Sequence, residues 1–436
     1  MRSLNEGNDG FMRKNITKAF AGVGFLKLVS MGLGFLTSMI VARGLGAENY
    51  GVYVLVTSVM AVLALPLYAG MPALLVREIV RIRIEKDWPL FGGAKHRVSQ
   101  AILVGSLIVF SMVVGFYLFG LYSGDSTTAT FLLLAFPLAP LMALNGTRAA
   151  MLRGFDKVFY SQLPDQIIKP LTHLSILCFL AFSGLMTAAW ALGSLMTATL
   201  VAFVFGAFVL RKQLNLLPDV TERKYETVRW VKSLMPFTAI AAIYTVNNQA
   251  AILILGLVSE NSEVAYLRVA DRMAQVVVIA LTVANVVSGP QIARFAKLHD
   301  YGQLEKTARH AVRLALLIAS PVVIIYFFFG ETIVRLAFGD EYSLKVWLPL
   351  IIISAGQLVN VFFGSVGNVL NMTGNERLSL IGVLLGLSTN VILSVVLIPQ
   401  YHAVGAAIAC SSGIMVWNIA LAIFVKLKIN IRTMPF

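Results

Sequence analysis

The chain has 436 residues, of which 58% are hydrophobic and 13% charged, and its formal net charge is +14. Soluble domains carry about 45–50% apolar and about 25% charged residues. The composition therefore excludes an ordinary water-soluble enzyme, a disordered tail and a disulfide-stapled secreted scaffold, and leaves an integral membrane protein whose cations need a location.

The first sixteen residues are polar and are expected to form an unstructured tail. From residue 17 onward, stretches of about 20 apolar residues recur, the length a helix needs to cross hydrocarbon. The sequence predicts twelve spans, at roughly 17–42, 52–75, 98–121, 129–152, 164–184, 186–210, 233–257, 264–289, 312–330, 346–371, 378–398 and 401–425. The first is too long for a cleaved leader and is read as retained. The expected fold class is an all-α membrane protein with two six-helix lobes, 17–210 and 233–425. The connection 211–232 lies between them, and tails at 1–16 and 426–436 flank them.

The connections alternate. With helix-end cations such as Arg148 counted to the nearer connection, odd-numbered ones are short and nearly free of cations, carrying Arg43, Arg335 and Lys345; even-numbered ones and the two termini hold 29 of the 35 Lys and Arg. The positive-inside rule then predicts an even number of spans with both termini cytoplasmic. Lys27, Arg268 and Arg272 remain inside spans. No Gly-Lys dipeptide occurs, so no phosphate-binding loop for ATP is expected. The stretch 76–97 mixes arginines with isoleucines, and reads either as a topology signal or as an interfacial segment. Cys178 and Cys410 lie in apolar runs and are expected to be free, buried thiols. No metal site, catalytic group or cofactor is expected.

Two patterns recur across the midpoint. Leu45-Gly46 with Tyr53 resembles Leu255-Gly256 with Tyr266, and 152–158 resembles 372–378. With an even number of spans per half, such a repeat is parallel, as in transporters whose bundles rock about a central site.

Charges inside the bilayer cost about 2.5–3.5 kcal/mol and tend to mark sites. Lys27 is either a snorkelling cation or a substrate ligand. Arg268, Asp271 and Arg272 share one helical face and form either an ion-pair cluster or an anion site with excess positive charge. Asn145, Asn247, Asn248, Gln249 and Asn360, with Asn285, Gln357 and Asn390, are either interhelical hydrogen bonds or cavity ligands. His173 and His402 read as structural. Prolines such as Pro66, Pro137, Pro236, Pro321 and Pro349 permit bends, as gates or as plain kinks.

The run Ile40–Tyr53, with Arg43, Gly46, Tyr50, Gly51 and Tyr53, resembles a signature of the polysaccharide transporters in the multidrug/oligosaccharidyl-lipid/polysaccharide exporter superfamily. Phe338–Tyr342, Met372–Arg377 and Ile398–Ala409 are similar to further turns of that family, except that His402 stands where glycine is usual. The resemblance implies two six-helix lobes around a central cavity. It also implies flipping of an undecaprenyl-diphosphate-linked oligosaccharide across the inner membrane, as in O-antigen assembly, driven by an H+ or Na+ gradient. Arg43 would be a helix-end contact or a gate. The expected partners are this lipid-linked oligosaccharide, membrane lipids and other polysaccharide-assembly proteins, with no nucleic acid.

Two competitors stand beside this reading. A cation-coupled multidrug exporter of the same superfamily would favour acidic cavity residues, whereas the excess here is basic. A membrane glycosyltransferase, polymerase or acyltransferase would need a DxD or HExxH type of site, and neither occurs.

Overall fold

Hydrocarbon offers the backbone no hydrogen-bond partner, so a membrane chain satisfies its peptide groups internally. The computed structural model describes the backbone of residues 2–123, 126–218 and 222–435, and the side chains of 22–120, 128–218, 222–289 and 291–435. Every regular element among the described residues is helical. In chain order they are α1 (Arg2–Leu63), α2 (Leu65–Tyr68), α3 (Met71–Glu85), α4 (Trp88–Ser123), α5 (Ser126–Ala135), α6 (Leu138–Gly154) and α7 (Val158–Leu163). A π-turn (Pro164–Ile168) leads into α8 (Lys169–Phe182), then α9 (Ala188–Leu214), α10 (Thr227–Val258) and α11 (Asn261–Lys297). The chain continues as α12 (Tyr301–Phe338), α13 (Asp340–Phe363), α14 (Val366–Met372) and α15 (Glu376–Ile429). Among the described residues, nine helical segments are long and apolar enough to cross a membrane. The chain is a multi-pass membrane protein.

Two of the long elements are folded back on themselves. In α1, Gly46 has φ 72° and ψ 171°, outside the helical region. Ser38 Oγ and Tyr50 Oη, twelve residues apart, meet at 2.6 Å, whereas a straight helix would separate those residues by about 18 Å. In α15 the break is at His402, with φ 47° and ψ −124°. Beyond it, Gly413 returns against Gly386 and Leu421 against Gly382. The stretch 1–16, expected as an unstructured tail, begins the helical backbone of α1 at Arg2; its side chains lie outside the described residues.

The chain forms two compact units. One contains Met1–Thr37 and Val59–Ala242, the other Ser38–Ser58 and Ile243–Phe436. The lobes drawn from sequence are contiguous, while these units assign 38–58 to the second and 233–242 to the first. In the first unit, Ile79 and Ile82 of α3 pack with Ala150 and Met151 of α6, Phe91 of α4 and Trp230 of α10. In the second, Ile292, Val369, Leu370, Leu421 and Val425 form a core under α14. The polar connection also docks: Lys224 N–H donates to the Pro89 carbonyl at 3.1 Å.

One recurrence read from sequence has a different geometry. Gly46 is a reversal, but Gly256 lies within helical α10, packed on Leu55. The left-handed residue after α6 is Asp156, two positions beyond Gly154, and its counterpart after α14 is Gly374.

Candidate functional site

Four helices of the second unit enclose a polar cavity of about 380 Å³. α10 contributes Asn247, Asn248 and Gln249; α11 contributes Arg268, Asp271 and Gln275; α13 contributes Gln357 and Asn360; α15 contributes Asn390, Cys410 and Trp417. Positions three and four apart share a helical face, which is why α11 turns Arg268, Asp271 and Gln275 to the same side. Arg272 does not line the cavity but donates to Gln275 Oε1 at 3.2 Å.

The charged side chains restrain one another. Gln275 Nε2 donates to Asp271 Oδ2 at 3.0 Å, Arg268 Nη2 donates to Ser58 Oγ at 3.1 Å, and Arg268 and Asp271 form a loose ion pair at 4.0 Å. Asn360 Nδ2 donates to Gln357 Oε1 at 3.3 Å. Two buried atoms of the lining, Gln249 Oε1 and Trp417 Nε1, have no hydrogen-bond partner. The Trp417 indole meets the Tyr244 ring edge-on at 6.5 Å. The cavity thus presents amides and an aromatic face, with one unpartnered acceptor and one unpartnered donor buried in its walls. Cys410 and Cys178 are both free and half-buried rather than fully buried.

The signature residues lie elsewhere in the same unit, in a brace around the two reversals. Gly46 supplies the left-handed φ that turns the chain. The Ala47 N–H beyond it donates to Glu341 Oε2 at 3.1 Å, Tyr342 Oη donates to the Ala42 carbonyl at 3.0 Å, and Arg43 donates to the Leu336 carbonyl. A carboxylate at the start of a helix also complements its dipole. Gly51 permits contact with the Asn261 carbonyl, whose oxygen a Cβ would overlap. Tyr50 and Tyr53 stack at 6.2 Å. The second reversal repeats the device: the Ala403 N–H donates to Glu263 Oε2 at 3.0 Å, and His402 Nδ1 pairs with Ser259 Oγ at 2.9 Å.

Two expected cavity residues are in the first unit. Lys27 is exposed there. Asn145 is buried and donates to the carbonyls of Thr199 (3.1 Å) and Leu141 (3.2 Å), so it is an interhelical tie. Sequence reasoning also assigned Arg148 to a cytoplasmic connection. Its side chain is 2% exposed and bonds Asp165 of the π-turn at 2.9 Å. The signal for this pair was an arginine four residues inside its span, followed by Asp165, Lys169 and His173 at helical spacing.

A family model described as polysaccharide biosynthesis protein matches residues 17–296. The probable low-salt glycan biosynthesis flippase Agl15 of Haloferax volcanii is 23% identical over 410 residues, covering 92% of this chain and 81% of the relative. The putative O-antigen transporter of Shigella flexneri is 22% identical, covering 87% and 89%. Among solved structures, lipid II flippase MurJ in an inward closed conformation superposes with a TM-score of 0.72 at 16% identity. That match covers 92% of this chain and 87% of that one, and the likeness shows the fold.

Proposed function

Because this chain belongs to the polysaccharide biosynthesis protein family, we propose that it is a flippase. It carries an undecaprenyl-diphosphate-linked oligosaccharide from the cytoplasmic to the outer leaflet of the cell membrane, for assembly of a surface polysaccharide such as O-antigen or capsule. The observation that carries this reading is the polar cavity of the second unit. Unpaired buried polar atoms cost about 1–3 kcal/mol each. A sugar's hydroxyls pair with the amides of the lining, and a turn of the Gln249 and Trp417 side chains brings their buried Oε1 and Nε1 to it, while the apolar face of the ring lies on the indole.

The proposed architecture is twelve crossings in two six-helix lobes related by a parallel repeat, with both termini cytoplasmic. Dividing α1 at Gly46 and α15 at His402, and counting 158–182 as one crossing, brings the nine segments to twelve. Three pairs of left-handed residues support the repeat: Lys86 with His299, Asp156 with Gly374, and Gly184 with His402. Behind the first pair, Asp87 N–H donates to the Ile82 carbonyl (3.2 Å) and Asp300 N–H to Phe295 (3.0 Å). Behind the second, Lys157 N–H donates to Leu152 and Asn375 N–H to Leu370, both at 2.9 Å. These are the same helix-terminating motif.

Transport proceeds by alternating access. The glycan occupies the cavity while the polyprenyl chain stays in lipid. In the second unit Arg268 offsets the diphosphate's loss of water, Lys27 supplies a cation of its own in the first, and an H+ or Na+ gradient drives the cycle. An organic-cation exporter is favoured less, because the one carboxylate lining the cavity, Asp271, is already held by Gln275 and faces Arg268. In cells lacking the chain, the wild type restores surface glycan. Lys27→Ala, and Arg268→Ala with Arg272→Ala, abolish it at normal membrane levels of protein. Full glycan assembly in these variants contradicts the cationic contribution.

A further inference from the structure

Each unit carries an apolar groove outside the polar cavity. In the first unit, a groove of about 590 Å³ runs between α3, α4 and the start of α10, past Leu75, Ala101, Leu103 and Leu234. In the second, one of about 790 Å³ runs between α11 and α12, past Val287, Leu314 and Ile318. Their rims are apolar and open: Leu103 is 63% exposed and Val287 67%. Such side chains are stable against hydrocarbon, not water.

Both grooves have a polar mouth, and the two mouths correspond in the chain. Lys86 and His299 are the left-handed residues between α3 and α4 and between α11 and α12. Eight residues before each stands Glu78 or Gln291, and eleven after each stands Arg97 or His310. All four line their grooves. Arg97 is held in place by stacking over Tyr225 at 4.9 Å. Trp230, which lines the first groove, is 6% exposed and its Nε1 has no hydrogen-bond acceptor. In the second groove Lys306 joins His310 one helical turn away.

An apolar groove whose lining includes a cation matches a hydrocarbon chain ending in an anion. We infer that each groove seats one anionic phospholipid, its acyl chain along the groove and its phosphate at the mouth. In the first unit the phosphate meets Arg97, the Glu78 carboxylate being already paired with Arg77 and Arg81; in the second it meets Lys306 and His310. The duplication favours a bulk membrane lipid, since one transported molecule has no need of a matching seat in each unit.

The test is native mass spectrometry of the full chain, titrated with phosphatidylglycerol and, separately, phosphatidylcholine. The wild type is expected to hold two phosphatidylglycerols more tightly than phosphatidylcholine. Arg97→Gln weakens one of them about fivefold, and Lys306→Gln with His310→Gln weakens the other at least as much. Ala101→Trp fills the first groove without touching a cation, and is expected to remove the first lipid. Thermal unfolding of each variant in phosphatidylcholine, unchanged from wild type, separates lost binding from lost folding. Equal binding of the two lipids overturns the inference, as does phosphatidylglycerol binding that survives all the variants. Displacement of both lipids by stoichiometric polyprenyl phosphate would assign the seats to the carrier lipid and overturn it too.

Discussion

The brace and the cavity of the second unit share α11, α13 and α15 and have opposite chemistry. In the brace, Glu341, Glu263, Tyr342 and Arg43 each spend a polar group on a backbone group, and the reversals they hold are closed. In the cavity, Gln249 and Trp417 keep buried polar atoms without partners. The first pattern stabilises a fold, and the second leaves polar capacity that the proposed glycan would engage. The residues that make the family recognisable lie in the brace, so recognisability here reports architecture more than substrate.

Substitutions can break this contrast, and the largest expected effect is in the brace. Gly51→Leu drives a side chain into the Asn261 backbone. It should destabilise the protein by about 3 kcal/mol, read as lost folded material on detergent-solubilised gel filtration. Next comes the cavity. Trp417→Ala with Gln249→Ala should cut glycan transport about tenfold or more, while thermal unfolding without substrate moves little. A large fall in stability with transport per folded molecule unchanged would make these two residues structural and erase the contrast.

Glu341→Gln should cost about 0.5–1 kcal/mol, since an amide still contacts Ala47 but no longer complements the helix start. Melting temperature measures it, and transport per folded molecule should stay constant. The smallest effect is at His402. Its φ of 47° with ψ −124° lies in a region glycine tolerates, so His402→Gly relieves strain but loses the Ser259 contact worth about 1 kcal/mol. The net change should be within about 1 kcal/mol in favour of glycine, and clear destabilisation would mean that the histidine contact dominates.

Local information carried much of this into the sequence. Hydropathy marked the long helices, and the spacing of Arg268 and Asp271 placed both on one face before any fold was known. The brace was legible as a motif but not as a contact, because its partners are up to 300 residues apart and no periodicity reports such pairing. Their place inside spans suggested Lys27 and Asn145 for the cavity, but that place does not say which unit a side chain enters. Arg148 was hidden by its position near a helix end, where topology counting takes any cation as a loop charge.

The central claim is transport of a lipid-linked glycan through a cavity that binds its sugar. Its most direct test is reconstitution in vesicles carrying a fluorescent undecaprenyl-diphosphate oligosaccharide, with leaflet position read by an impermeant quencher. The wild type should equilibrate the label between leaflets faster than protein-free vesicles under an H+ or Na+ gradient, and Trp417→Ala with Gln249→Ala should slow it about tenfold. Equilibration no faster than in protein-free vesicles under either gradient would contradict the account.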